Sequence, residues 1–309
     1  MDTRTQFANE LLEASKAAQV ANAQAHKAAV DRIKGSVMLR SNLRAATPKL
    51  PLDFLAIGDS WFEYPLTGNG LPIGNTAIVA DSQLGAIGNP PPRILNQALH
   101  GQATTAMLSY ENQEKIRNVL TDPSQWISGR PDAILVSAGG DNIAGDQFAI
   151  YLDYGGTTGL DPTRFKALLG DVQAAYFDLF AFRDIFAPGI PIIGHTYDYA
   201  LPNGVHPICA GPWLQPSLDF AGYDYNAGLA IIHSAIDIFF DVMNDLATDK
   251  TLPPGKTTNN FIVVDTRTTL SGDTSQTGWA NELHAYPPGF AALAKKFLTV
   301  LQAKFPGRI

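Results

Sequence analysis

A chain of 309 residues that is 45% hydrophobic is long enough for one large domain or two small ones around a sizeable core. Its formal charge of −7, with no Lys/Arg-rich run, argues against a surface built for nucleic acid or anionic lipid. Cys209 is the only cysteine, which excludes an intrachain disulfide and a cysteine-based metal site; with nothing basic beside it, it reads as a small buried hydrophobe.

From Thr5 to about Arg44 the chain is rich in Ala, Gln, Lys, Glu and Leu, and Phe7, Leu11, Ala14, Ala18, Ala21 and Ala25 recur at steps of four and three. That spacing predicts one or two long helices. Two readings stay open for them: an arm packed on its own domain, or a surface for a homo-oligomer or a docking partner. Pro48 and Pro51 mark a boundary, so residues 1–47 read as a helical extension and 48–309 as the main domain. Residues 1–30 lack the continuous apolar core of a secretory signal, and no stretch approaches membrane-spanning length, so the expectation is a cytoplasmic protein without a membrane span.

Beyond the boundary, strands and helices alternate. Strands are expected at Leu52–Ile57, Ile94–Ala98, Ala133–Ser137, Pro191–His195 and Phe261–Val264. Helices are expected at Thr104–Leu120, Pro162–Phe186, Tyr225–Leu246 and Pro287–Ala303, with at most a short one at Thr76–Leu84 inside a Gly- and Pro-rich stretch. This alternation predicts an α/β fold: a mostly parallel five-stranded sheet with helices on both faces, a three-layer α/β/α flavodoxin-like sandwich. No Gly-rich phosphate loop follows the first strand and no Gly-x-Ser-x-Gly is present, which disfavours a nucleotide site and the nucleophile elbow of α/β-hydrolases.

The first strand ends in Gly58-Asp59-Ser60, placing a serine at the carboxyl end of a central strand, where functional groups of open α/β sheets gather. Taken alone, this is equally a turn in which Asp59 and Ser60 cap the next helix. Three further segments fall in order: Asn96-Gln97-Ala98-Leu99-His100-Gly101 after the second strand, Ala138-Gly139-Gly140-Asp141-Asn142 after the third, and Asn281-Glu282-Leu283-His284 before the last helix. Ser60, Gly101, Asn142 and His284 in that order resemble the four marker blocks of the SGNH, or GDSL, hydrolases, over about residues 50–305.

The resemblance implies Ser60 as nucleophile, His284 as its general base, and an oxyanion hole from the N–H groups of Ser60 and Gly101 and the side-chain amide of Asn142. It implies an ester substrate, small or acylated on a lipid or sugar, and no metal or organic cofactor. Two blocks depart from the family pattern. The family has Gly-x-Asn-Asp where this chain has Gly139-Gly140-Asp141-Asn142; unshifted, Asp141 takes the donor's place, where a carboxylate would repel an oxyanion, so Asn142 is preferred. The family's Asp three residues before the histidine is Asn281 here. Its side-chain oxygen can still hold the ring, less strongly than a carboxylate; Glu282, expected to point away, and Asp273, which would need its loop to fold back, are the alternatives.

Around this set, Asp59 reads as structural and Phe62 as core, while Trp61, Asp141, Tyr199 and Trp213 are candidate substrate contacts, the last two in a long irregular loop. Among the other histidines, His195 and His206 are weaker candidates for substrate contact, and His26, His100 and His233 read as structural or solvated. The functional expectation is a serine esterase, with an acyltransferase or a catalytically impaired binding protein of the same fold as the alternatives.

Overall fold

The computed structural model describes residues 3–43, 49–66 and 74–309. Five strands, β1 (Asp53–Gly58), β2 (Arg93–Asn96), β3 (Ala133–Ser137), β4 (Ile192–His195) and β5 (Phe261–Val264), form one sheet in the order β2-β1-β3-β4-β5. Every pairing is parallel; Leu55, for example, lies opposite Leu95 on one side and Ile134 on the other. Every residue of β1, β3 and β4 is buried, as continuous apolar runs require when helices cover both faces of a parallel sheet. The strand order reverses between β1 and β3, so a crevice opens beyond their carboxyl ends.

Among the described residues eight helices surround the sheet: α1 (Thr3–Asn42), α2 (Thr104–Met107), α3 (Tyr110–Thr121), α4 (Gly140–Ile143), α5 (Pro162–Phe186), α6 (Gln215–Ala221), α7 (Tyr225–Ala247) and α8 (Pro287–Lys304). Side chains alternate across a strand, and neighbouring positions of β4 show which helices face which side. A Cβ on Gly194 would meet Met243 of α7 at 3.3 Å, whereas the His195 ring lies 5.8 Å from Phe297 of α8. Helices α7 and α8 therefore cover opposite faces. Capping fixes where the long ones start: Asp161 accepts from the Arg164 N–H ahead of α5, and Asp224 from the Ala227 N–H ahead of α7.

The expected helix at Thr104–Leu120 is two, because Leu108 and Ser109 leave the helical path between α2 and α3. The segment 76–84 holds turns followed by a short 3-10 helix (Leu84–Ala86) rather than an α-helix, and α4 and α6 lie where none was expected. Contrary to the expectation that no stretch approaches membrane-spanning length, α7 is long and apolar enough, at 23 residues, to cross a bilayer by length and composition. Its Ile231, Ile232, Ala235, Ile236, Phe239, Met243 and Leu246 are buried in the core, while Asp237 pairs with Arg267 and Asp245 with Lys250. The expected domain boundary at residues 47 and 48 falls outside the described residues.

The N-terminal segment is one continuous helix of 40 residues, and the face it buries is not the alanine stripe. Ala14, Ala18, Ala21 and Ala25 are exposed; Leu11, Ser15, His26 and Val30 are buried, with Gln19 and Asn22 half-buried between them. That polar row lies along the outer edge of β2. Asn22 Oδ1 accepts from the Asn96 N–H at 3.1 Å, Gln19 Nε2 donates to the carbonyls of Gln97 and Ala98 at 3.1 and 2.6 Å, and His26 Nε2 reaches Gln125 O at 2.9 Å. The helix covers an edge strand whose backbone groups would otherwise be open to another chain.

Candidate active site

Strand β1 ends against β3 so closely that a Cβ on Gly58 would lie 2.2 Å from Ser137 O, and its φ of +141° is one that side chains resist; glycine is required there. The turn after it is tied down by Asp59. Its N–H donates to Ser137 O at 3.0 Å, and its carboxylate accepts from the Ser137 and Tyr197 hydroxyls and from the Trp61 N–H. Burial raises the Asp59 carboxyl to about 6 while those three donors pull it down. His195, on Ser137 Oγ at 2.8 Å, sits behind this network in the core rather than in the crevice.

The turn presents Ser60, whose Oγ lies 2.7 Å from His284 Nε2. His284 Nδ1 lies 3.0 Å from Asn281 Oδ1, which also accepts the backbone N–H groups of Leu283 and His284. The other end of that amide, Nδ2, donates to Tyr64 OH at 2.8 Å. The two backbone N–H donors fix which end of the Asn281 amide faces the ring: the oxygen accepts Nδ1–H, leaving the Nε2 lone pair for the Ser60 hydroxyl. Tyr64 lies parallel to the imidazole, 3.8 Å between centroids and 5° between planes, and Trp61 Nε1 ties the turn to Leu283 O at 3.0 Å. No motif pointed to Tyr64; its proximity to Ser60 in the chain was the only signal.

Glu282 and Asp273 turn elsewhere. Glu282 accepts the N–H groups of Gly204, Trp213, Leu214 and Gln215, pinning the long loop after β4 against the His284 segment. Asp273 is engaged by Ser271 and Ser275 within its own loop. A carboxylate wrapped in backbone donors is also the device at Asp198, which takes the N–H groups of Tyr199, Thr268, Thr269 and Leu270.

Two cavities meet at Ser60. One, of about 80 Å³, brings together Ser60, His284, Gly101, His100, Trp213 and Asp141. The other, of about 60 Å³, is lined by Ile143, Ala144, Leu214, Ile232 and Ile236 together with Trp61 and Asp141. Gly101 has a φ of +73° and open space where a Cβ would be, and among the described residues neither its N–H nor that of Ser60 donates to a protein acceptor. Asn142 borders neither cavity; its Oδ1 accepts from the Thr104 N–H at 2.9 Å. Tyr199 also lies apart, stacked on His233 and bonded to Asp237, and His206 bonds carbonyls of its own loop.

Burial lowers the His284 imidazole to about 3, with the neighbouring His100 adding to the effect, so the ring is neutral. Asp141 is pushed the other way, up to about 8, first by burial and then by the charge of Asp59. The arrangement has the parts of nucleophilic acyl chemistry: a hydroxyl on a neutral, oriented imidazole, with free backbone donors beside it. Among the described residues no three His, Cys, Asp or Glu side chains are grouped to hold a metal ion.

No protein-family model matches this chain, and no curated protein does. Solved structures do. It is similar to an extracellular lipase from Streptomyces rimosus at 16% identity and a TM-score of 0.49, over 82% of this chain and 99% of the lipase. A phospholipase A1 from Streptomyces albidoflavus NA297 matches at 15% identity and 0.48, over 82% of this chain and 100% of that one. A family 3 carbohydrate esterase from Clostridium thermocellum matches at 13% and 0.46, over 82% and 99%.

Proposed function

We propose that the chain is a serine esterase of the SGNH type, hydrolysing carboxylic esters through an acyl-enzyme on Ser60. The observation that carries this reading is the 2.7 Å contact between Ser60 Oγ and His284 Nε2, with Nδ1 held by Asn281. In the first half-reaction Ser60 Oγ attacks the ester carbonyl as its proton passes to Nε2. The alkoxide that develops on the carbonyl oxygen lies within reach of the unused N–H groups of Ser60 and Gly101, each such donor being worth about 3 kcal/mol in the transition state. Collapse expels the alcohol, protonated by His284, and water repeats the sequence to release the acid. The apolar cavity of about 60 Å³ favours a short acyl group, since that volume holds only a few heavy atoms.

The test is turnover of p-nitrophenyl acetate together with labelling by a fluorophosphonate probe. Both are expected in the wild type and both are lost in Ser60→Ala. A wild type that is inert and unlabelled, or a Ser60→Ala variant that keeps turning over, overturns the reading and leaves a binding protein of this fold.

A further inference from the structure

Resting on that esterase reading, we infer that Asp141, as a neutral carboxylic acid, donates a hydrogen bond to the oxyanion. Three observations carry it. Asp141 borders both cavities that meet at Ser60, whereas Asn142, the amide next to it, borders neither and has its oxygen turned to the Thr104 N–H. The Asp141 carboxyl oxygen Oδ2 is itself buried without a partner, which is costly for a carboxylate and leaves the acid free to bond whatever enters. Among the described residues no lysine or arginine lines either cavity, so nothing there would compensate a charge on Asp141.

The groups that face it act in one direction. From the turn after β1 comes Asp59, whose carboxylate is already served by three donors and so holds the negative charge of the pair. From the segment after β4 come Tyr197, engaged with Asp59, and Asp198, engaged with backbone N–H groups. From the other cavity come His284, His100, Tyr64 and Cys209, none of them a standing cation, with both histidines lowered by burial. Burial and the Asp59 charge keep the proton on Asp141 up to about 8. A neutral carboxyl is a short, strong donor, and its proton stays on Asp141 throughout: the oxyanion accepts the hydrogen bond as Ser60 adds, and releases it when the carbonyl reforms.

The experiment is the pH dependence of kcat and KM for p-nitrophenyl acetate in wild type, Asp141→Asn and Asp141→Ala, from about pH 5 to 10. The active form carries the proton, so wild-type kcat is expected to fall as pH rises through about 8. Asp141→Asn, whose amide does not titrate, is expected to lose that fall, and Asp141→Ala to lower kcat by about 10² to 10³ with KM little moved. Should the alanine variant fail to fold by circular dichroism, the asparagine profile decides alone. An unchanged alkaline fall in Asp141→Asn, or kcat within about threefold of wild type in a folded Asp141→Ala, overturns the assignment while leaving the esterase intact. A wild type inert toward the ester and unlabelled by fluorophosphonate removes both.

Discussion

On the esterase reading Asn281 takes the place of a carboxylate that would orient the base, and its surroundings show what an amide can and cannot do there. In serine proteases an Asp→Asn change costs about 10⁴ in kcat because the amide leaves the wrong tautomer. Here two backbone N–H groups and Tyr64 OH hold the amide oxygen toward Nδ1, so orientation is kept. What is missing is a charge to stabilise the imidazolium. Asn281→Ala is therefore expected to lower kcat by about 10² or more through lost orientation. Asn281→Asp is expected to raise the His284 pKa: the wild-type ring stays neutral down to about 3, so the acid limb of kcat/KM lies below about pH 5, and a carboxylate moves it upward. A pH-rate profile of kcat/KM checks both, and an acid limb that stays put in Asn281→Asp counts against Nδ1 facing that side chain. The convergence of Ser60, Gly101 and His284 was legible in the order of the motifs. Which of Asp141 and Asn142 borders the cavities was not, because it depends on the phase of a four-residue helix after Gly139.

The helix α1 argues the same point at the level of elements. Its length was legible in composition, but the face it buries was not, because the small-residue periodicity marks one face while the contacts of the other are polar. Gln19 and Asn22 turn to backbone groups at and just beyond β2, while Ser15 turns to the His100 ring and His26 to Gln125 O. Asn22→Ala strands the Asn96 N–H and is expected to cost about 1–3 kcal/mol in urea unfolding. Gln19 holds the two carbonyls just ahead of His100 and Gly101, so α1 also steadies the segment that presents Gly101. The combined variant Ser15→Ala, Gln19→Ala is expected to lower kcat about tenfold with KM nearly unchanged, since small displacements at a reacting centre cost rate more than binding. An unaltered kcat in a folded variant separates α1 from the site. The break between α2 and α3 is hidden for a related reason: Met107, Ile116 and Leu120 all reach the same core, so the apolar spacing runs on across the non-helical Leu108 and Ser109.

For the whole molecule, alternation of strands and helices made the layered α/β fold legible, with a sheet that is parallel throughout rather than mostly so. The strand order could not be read, since each βαβ unit satisfies the same right-handed rule whichever neighbour it joins. That order puts the turn after β1 beside the one after β3 and brings Asp59 and Asp141 to one cavity, with consequences for stability. His195 and His284 are held neutral, both lowered to about 3, so they contribute stability that is lost as pH falls below the ordinary histidine value of about 6.5. Glu63, raised to about 7 by burial, and Asp141, raised to about 8, act oppositely. The folded state keeps protons there that the unfolded chain gives up above about pH 4, and the associated stability is lost as pH rises toward those values. Between about pH 4 and 6.5 the two sets offset each other. Above 6.5 the histidines fall silent and the acids remain, so the melting temperature is expected to drop by a few degrees between about pH 6.5 and 8.5. Glu63→Gln and Asp141→Asn, which no longer release a proton, should each flatten that slope in a thermal unfolding series. A melting temperature that stays level over the same interval in the wild type would mean that these carboxyls ionise inside the folded protein as readily as in the open chain.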